Sequence, residues 1–335
     1  MKLNSLLIPA IAIAGIATAN AQQTTPAVGY ISLGDTDGDN AVAANTDIRF
    51  GVSFLNATEY SGAVAAGGVT ATTIQVDGAA FAADAYAGYY CQVTSGSNDG
   101  QFLLVTANTA DTLTVTAQPG DSTTGISDGD TIALSEAWTL MSLVGSRPVG
   151  TQVFTWDGSG DGINLATNTT YQVFDVGGGA LSWVNTSSFA ISDDVIVYPG
   201  EALILRTGAS ALPSFVLSGT VPTEANRNII FGGDSGQDTP LSFTSPLDEQ
   251  IAGLTFPSVI GDQLLIYDNA SSGINKSNAV TYQLFDTGGQ NEWVNTSTFA
   301  IVSDETIEAG SSFVFRRAAA ADDTAATNTA SYNTP

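Results

Sequence analysis

The stretch TYQVFDVGGGALSWVNTSSFAI, residues 170–191, returns as TYQLFDTGGQNEWVNTSTFAI at residues 281–301. Fifteen aligned positions are identical when one deletion is allowed. Both copies consist of short runs rich in Val, Phe, Tyr and Trp that are separated by Gly, Asn and Ser. This pattern predicts β-strands joined by tight turns. The chain therefore carries one strand-rich unit twice.

The repeat extends beyond this stretch on both sides. QVFTWDGSGDGIN (152–164) matches QLLIYDNASSGIN (263–275), and YPGEALILRT (198–207) matches EAGSSFVFRR (308–317). A sheet of about four strands has one apolar face and is marginal alone. We therefore expect the two units to cover each other's faces as a pseudo-twofold pair, with the matched Trp, Tyr and Phe rings as packing positions between them.

Strand signals also dominate the region before the repeat. They are TTIQVDG, GYYCQVTSG, GQFLLVTAN, DTLTVTAQ, DTIALS and WTLMSLVG. The predicted fold class is all-β, built of antiparallel β-sandwich or barrel modules. The expected division is a signal peptide at 1–21, an N-terminal β-domain at 22–137, the pair of repeat units at 138–317 and a flexible tail at 318–335.

The first residues have the features of an export signal. MKLNSLLIPAIAIAGIATANA contains a basic start at Lys2, an apolar stretch of about a dozen residues and a small-x-small site that ends at Ala21. This pattern predicts a cleaved secretory signal peptide, and hence a secreted or cell-surface protein. The apolar stretch is shorter than the ~20 residues of a spanning helix, and we expect no membrane span in the mature chain.

Charge and residue usage narrow the function. The formal net charge is −25, and a surface this acidic repels nucleic acid and anionic lipid. Histidine is absent, which excludes Ser-His-Asp and Cys-His nucleophilic catalysis and His-ligated zinc. We therefore predict that the protein is not an enzyme, with a hydrolase that uses two carboxylates as the open alternative.

Several single residues can be interpreted from their surroundings. Cys91 is the only cysteine and is predicted to be a small buried residue, with an intermolecular disulfide as the alternative. The matched carboxylates Asp175 and Asp286 precede Gly-rich turns. We expect them to cap these turns through their side chains, in preference to catalysis.

One acidic loop, GDTDGDNAVAANTD, is a candidate metal site. Asp35, Asp37 and Asp39 alternate as the first, third and fifth ligands of a calcium loop do. The sixth position is Asn40, where such loops have glycine, and the twelfth is Thr46, where a bidentate acid belongs. Calcium is therefore the one candidate cofactor, and a solvated acidic loop that binds no metal is the alternative.

Two matched pairs of side chains could serve binding. Trp183 and Trp293 could form stacking platforms for sugar rings, and core packing is the alternative for such shared rings. Arg206 and Arg316 are matched in a chain that has few basic residues. A buried ion pair with an aspartate is the favoured role for each arginine, and an anion site is the alternative.

Several stretches together resemble a known group of sequences. TPAVGYISL, AGYYCQVTSGSNDGQFLLVTANTADTLTV and GDTIALSEAWTLMSLVG, with the paired units, are similar to an uncharacterised family of secreted, β-rich bacterial proteins. The resemblance covers most of the chain after the signal sequence. Its motifs are turns, glycines and aromatics, so it implies a fold but no activity, cofactor or catalytic residue. The chain ends in SYNTP, where family members have an aromatic ending.

These observations predict a secreted, non-catalytic structural or cell-surface protein that assembles with itself. An extracellular carbohydrate-binding module, with or without calcium, is the alternative. The expected partners are accordingly further copies of the chain or a surface polysaccharide.

Overall fold

The computed structural model describes residues 26–34, 41–156, 160–254, 256–318 and 322–328. Almost all of the regular structure is β-strand, and every strand pair in these ranges is antiparallel. This confirms the predicted all-β fold class. No helix among the described residues combines the length and the hydropathy that a bilayer crossing requires.

The chain opens with three strands that do not join the sheet that follows them. They are β1 (Val28–Leu33), β2 (Ala41–Val42) and β3 (Asp47–Gly51). Six strands then close into a barrel in the order β4-β5-β8-β7-β6-β9. These are β4 (Thr58–Val69), β5 (Thr73–Val76), β6 (Tyr89–Val93), β7 (Phe102–Asn108), β8 (Thr112–Ala117) and β9 (Thr131–Glu136), with a 3-10 turn at Gly96–Asn98.

The barrel interior is filled by branched apolar side chains from alternate strand positions. Val64, Ile74, Leu103 and Leu134 are among them, and Cys91 lies fully buried in the same cluster. Burial raises the pKa of the Cys91 thiol to about 12, because a thiolate there would lose its hydration. The prediction of a small buried residue at Cys91 is confirmed.

After the barrel, the chain forms strands that pair with β1, β2 and β3. The next elements are α1 (Leu140–Val144), β10 (Gln152–Trp156), β11 (Thr167–Asp175), β12 (Leu181–Asn185), β13 (Ala202–Arg206), β14 (Leu212–Pro213) and β15 (Phe215–Thr220). They form a five-stranded sheet in the order β12-β11-β10-β13-β3, while β1 pairs with β15 and β2 with β14. We call this assembly the first unit. The barrel is inserted into it between β3 and α1.

One strand prediction in this region is wrong. The run WTLMSLVG contains α1, a single short helix instead of a strand. Thr139 caps it: its hydroxyl oxygen accepts from the Ser142 amide, and the Ser142 hydroxyl in turn accepts from the Thr139 amide. This capping box satisfies the first free amides of the helix. The other five predicted strands in the region before the repeat are β5 to β9.

The remaining strands form the second unit. They are β16 (Asn226–Ile230), β17 (Gln237–Ser242), β18 (Glu249–Gln250), β19 (Gln263–Ile266), β20 (Val280–Asp286), β21 (Asn291–Asn295), β22 (Thr306–Ile307), β23 (Ser312–Arg317) and β24 (Thr324–Asn328), with a 3-10 turn at Ile251–Gly253. The five-stranded sheet has the order β17-β23-β19-β20-β21, and β24, from the segment expected to be a tail, pairs with β16.

The two five-stranded sheets have the same strand order and the same registers. Val173 lies opposite Trp183 in the first sheet, as Leu284 lies opposite Trp293 in the second. We call residues at matching register positions of the two sheets equivalent. The pairings of β3 with β13 and of β17 with β23 extend this equivalence to strands outside the sequence repeat.

The expectation that the two units bury their matched rings against each other is wrong. Trp183 lies in an apolar cluster that also draws on the barrel residues Tyr90 and Phe102, whereas Trp293 lies in a separate cluster within the second unit. The barrel therefore helps to enclose the core of the first unit, whereas the core of the second unit is formed by residues of that unit alone.

Part of the contact between the units is instead made by backbone groups and small side chains. The amide of Gly51 donates to Gly310 O at 3.1 Å, and the equivalent amide of Ser242 donates to Gly200 O at 3.0 Å. The Ser242 hydroxyl also donates to Glu201 O at 3.0 Å. A Cβ on Gly51 would overlap the Ser242 side chain, so this close approach requires a glycine.

Candidate functional site

The predicted calcium ligands cannot be placed. Asp35, Asp37 and Asp39 lie outside the described residues. Within the described ranges, no three His, Cys, Asp or Glu side chains come together as a metal site. Calcium binding by this loop therefore stays a prediction.

Trp183 and Trp293 are both buried. Trp183 is 0% exposed and its Nε1 donates to Gly145 O at 3.1 Å. Trp293 is 7% exposed and packs edge-on against Phe315, with 6.4 Å between ring centroids. A ring that stacks on a sugar needs one face open to solvent, and this placement does not provide one.

The matched aspartates cap turns, as predicted. Asp175 Oδ1 accepts from the Gly177 amide at 2.8 Å. Asp286 Oδ1 accepts from the amides of Gly289 and Gly288 at 2.6 and 2.9 Å. These bonds, that from Gly289 first, lower the pKa of Asp286, because they stabilise the carboxylate.

The first matched arginine forms the predicted ion pair and joins the two units. Arg206 Nε and Nη2 donate to the two carboxylate oxygens of Asp47 at 2.6 and 2.9 Å. Asn275, in the second unit, donates its amide to Asp47 Oδ2 at 2.7 Å and accepts from Arg206 Nη2 at 2.8 Å. The Asp47 amide also donates to Gly273 O at 2.9 Å.

The second arginine repeats this arrangement in reverse. Arg316 Nε and Nη2 donate to Asp238 at 2.6 and 2.9 Å. Asn164, from the first unit, donates to Asp238 Oδ2 at 2.7 Å and accepts from Arg316 Nη2 at 2.9 Å. The Asp238 amide donates to Gly162 O at 3.0 Å. Each unit therefore inserts a loop into an Arg–Asp clamp of the other, and the two clamps have a structural role.

The most similar part of the repeat has a different role from the one expected. We call residues 185–191 and 295–301, NTSSFAI and NTSTFAI, the two tip loops. Their phenylalanines, Phe189 and Phe299, are 76% and 77% exposed. The expectation that every matched ring is a packing position is therefore wrong for this pair.

The backbone of each tip loop is held in an unusual conformation. Phe189 and Phe299 have φ of 56° and 59°, a left-handed region that costs a side-chain-bearing residue about 1–2 kcal/mol. The amide of each phenylalanine donates at 2.8 Å to the carbonyl oxygen of Asn185 or Asn295. Glycine is the usual residue in such a closing position, so stability alone does not explain an aromatic residue there.

Each asparagine also fixes the start of its loop. Asn185 Oδ1 accepts from the amides of Ser187 and Ser188 at 2.9 and 3.1 Å, and Asn295 makes the same bonds at 2.9 and 3.2 Å. Such bonds order the chain without tertiary contacts. The sequence did not reveal the exposed rings, because an isolated Phe between Ser and Ala has the same pattern as a core residue.

The tip loops lie at the outer edges of the two sheets. The segment after each loop pairs back onto the edge strand, through bridges of Val184 with Ile191 and of Val294 with Ile301. Ile191 and Ile301 are 60% and 50% exposed. Each tip therefore presents a ring and a branched side chain with no charged residue in the loop.

The chain was compared with models of protein families, with curated proteins and with solved structures, and none of them matches it.

Proposed function

We propose that this protein is a secreted or cell-surface, non-catalytic β-scaffold that assembles with further copies of itself through its tip loops. The observation that carries the proposal is the pair of equivalent exposed rings, Phe189 and Phe299, each held in a left-handed backbone. Strain that persists at an exposed position points to a role in binding rather than in folding. The signal-peptide pattern and the absence of histidine support the other parts of the proposal.

Charge favours another copy of the chain as the occupant of these tips. With a net charge of −25, copies repel each other over most of their surface. The tip loops carry no charged residue and each exposes a Phe and an Ile side chain, so two tips can meet with little electrostatic penalty. Identical loops can also pair about a twofold axis, which is the commonest symmetry of contacts between like chains.

The position of the tips favours extended assemblies. The strands β3, β13, β17 and β23 lie at the junction between the units, while each tip lies beyond β12 or β21 on the far side of its sheet. One chain thus has two separate docking points. Two-ended subunits that join tip to tip form open chains, whereas a single tip would stop at a dimer.

Sedimentation velocity of the mature chain tests this proposal. We expect the wild type to form concentration-dependent oligomers larger than dimers, more strongly at high salt because screening weakens the repulsion between acidic copies. Either single variant, Phe189→Asn or Phe299→Asn, should stop at dimers, and the double variant should stay monomeric. Tyr30→Ser removes an equally exposed ring elsewhere and should assemble like the wild type.

The same variants separate binding from folding. Asparagine tolerates a left-handed backbone better than phenylalanine, and little buried area is lost at positions this exposed. We therefore expect thermal unfolding temperatures of the asparagine variants equal to or above that of the wild type. The proposal would be contradicted if the wild-type protein were monomeric at millimolar concentration in high salt. It would also be contradicted if the Phe189→Asn/Phe299→Asn variant assembled like the wild type.

A further inference from the structure

A cavity of about 270 Å³ lies where the two units and the barrel meet. Its wall includes Trp156, Tyr198 and Glu201 of the first unit and Asn228 and Pro240 of the second. Gln118 and Pro119, which follow β8 of the barrel, also line the cavity. A concave, mostly apolar space with a few polar groups at a junction between modules is the usual form of a small-ligand site.

The equivalence of the two units shows which residue of the first unit corresponds to the cavity residue Pro240 of the second unit. Arg49 pairs with Ile204 of β13, and Pro240 pairs with the equivalent Val314 of β23. Pro240 therefore stands where the other half has Arg49. By the same registers and repeat alignment, Trp156 is equivalent to Tyr267.

At the equivalent junction, the side chain of Arg49 from the first unit covers the ring of Tyr267 from the second unit. The guanidinium carbon of Arg49 lies 3.5 Å from the centroid of the Tyr267 ring and 5.7 Å from that of Trp156. Stacking of a guanidinium group on an aromatic face is favourable, and more so where water is excluded. Trp156 already has Arg49 as one cationic neighbour. On the cavity side, the short ring of Pro240 leaves space beside Trp156 for a second guanidinium group.

The cavity also carries an acid that its counterpart lacks. Glu201 is equivalent to Ser311, and its Oε2 accepts only the Tyr198 amide, at 3.1 Å, among the described residues. Burial raises the pKa of Glu201 to about 7. Arg227, the cation on the wall, is held by both oxygens of Asp121 at 3.0 and 3.1 Å. The Glu201 carboxylate therefore has no cationic partner among the described residues.

We propose that this cavity binds a compact organic cation of the guanidinium class, stacked on Trp156 and paired with Glu201. The cation replaces the arginine that Pro240 does not supply. A carboxylate in a poorly hydrated site requires a positive partner, and a planar guanidinium matches both the aromatic face and the carboxylate.

The chain itself does not supply this cation. All seven basic residues after Lys2 have internal partners: Arg49 on Tyr267, Arg147 on Val144 O, Arg206 on Asp47, Arg227 on Asp121, Lys276 on Asp268 O, Arg316 on Asp238 and Arg317 on Thr324. A cation from solution is therefore favoured over a basic side chain of a second copy. The strong negative charge of the protein also raises the local concentration of cations.

Calorimetric titration of the mature chain with n-propylguanidinium, which is an arginine side chain without its backbone, tests the proposal. At pH 8 we expect saturable one-to-one binding that quenches tryptophan fluorescence. Glu201→Gln should weaken this binding at least tenfold, and the neutral isostere n-propylurea should bind at least tenfold more weakly. Glu224→Gln removes the same charge at an exposed position and should leave the affinity unchanged.

Pro240→Arg supplies the missing side chain from within and is the sharpest variant. It restores the arrangement of Arg49 and should abolish binding without lowering the unfolding temperature. n-Butylammonium, titrated in parallel, distinguishes a guanidinium site from a general cation site, and equal affinity for both would overturn the guanidinium assignment. Absence of binding by the wild type up to about 50 mM, or equal binding by Glu201→Gln, would overturn the proposal as a whole.

Discussion

Asp238→Ala is expected to lower the free energy of unfolding by about 3 kcal/mol, the lower end of the range for breaking a buried ion pair from one side. The side chain of Asp238 is almost fully buried, and its loss leaves Arg316 Nε and the Asn164 amide without their acceptor. The estimate stays at the lower end because Arg316 is partly exposed and water can reach its guanidinium group. Urea unfolding followed by circular dichroism measures the change.

The Arg206–Asp47 clamp allows the same substitution to be tested at a second, equivalent position of the chain. Asp47→Ala should have a similar effect, because Asp47 makes the same bonds to Arg206 and Asn275. Asp194→Ala, at an exposed position, should change stability by less than about 0.5 kcal/mol. If Asp47→Ala and Asp238→Ala also stay within that limit, the exchanged loops do not hold the two units together.

Glu201→Gln is expected to stabilise the ligand-free protein at pH 9 by about 3 kcal/mol and to have little effect at pH 5. The folded chain holds the Glu201 proton up to a pKa of about 7, whereas an ordinary glutamate has 4.5. In the wild type, the contribution of Glu201 to the free energy of unfolding is therefore fully present below pH 4.5 and is lost as pH rises through 7. The size follows from about 1.4 kcal/mol for each unit of pKa. Glutamine stays neutral and avoids this loss.

Thermal unfolding of the wild type and of Glu201→Gln from pH 5 to pH 9 tests the predicted stabilisation. The charged and titratable groups around Glu201 are Tyr90, Tyr171 and Tyr198, with Asp121 and Arg227 on the same cavity wall. The three tyrosines have raised pKa values and stay neutral over this range. Asp121 and Arg227 form an ion pair with each other. A Glu201→Gln variant whose advantage over the wild type is the same at pH 5 and pH 9 would show that Glu201 is hydrated when ionised.

Local patterns in the sequence predicted the local structure well. Alternating Val, Leu and Thr between turn residues identified the barrel strands β5 to β9 but not β4, and Asp before Gly identified the capped turns at Asp175 and Asp286. The ion pairs of Arg206 and Arg316 were also expected, since scarce basic residues in an acidic chain find carboxylates. Their partners were not predictable, because Asp47 and Asp238 lie far away in sequence and are brought in by strand pairing.

Long-range pairing is where sequence reasoning failed. Residues 28–51 were grouped with the strands that follow them, but β3 pairs with β13 across the whole barrel. Neither periodicity nor turn signals carry information about a partner more than 150 residues away. The core of each unit was misjudged for the same reason, because the strands that cover Trp183 and Trp293 come from outside the visible repeat.

The exposed rings were missed for a different reason. A phenylalanine matched in two copies is more often a core residue, and only the backbone angles and exposure of Phe189 and Phe299 identify them as surface features. The cavity beside Glu201 was equally hidden, since it depends on Pro240 standing where Arg49 stands in the other half. Both sites become visible by comparing the two halves in space.

Cysteine cross-linking tests most directly whether copies of this chain join tip to tip. Ser188 and Thr298 are exposed and adjacent to the two rings, and Cys91 is fully buried and does not compete. Under mild oxidation, Ser188→Cys/Thr298→Cys should give a ladder of disulfide-linked oligomers, and each single variant should stop at dimers. The barrel variant Ala71→Cys sets the background for random collision. Tip variants that cross-link no faster than Ala71→Cys would contradict assembly through the tip loops.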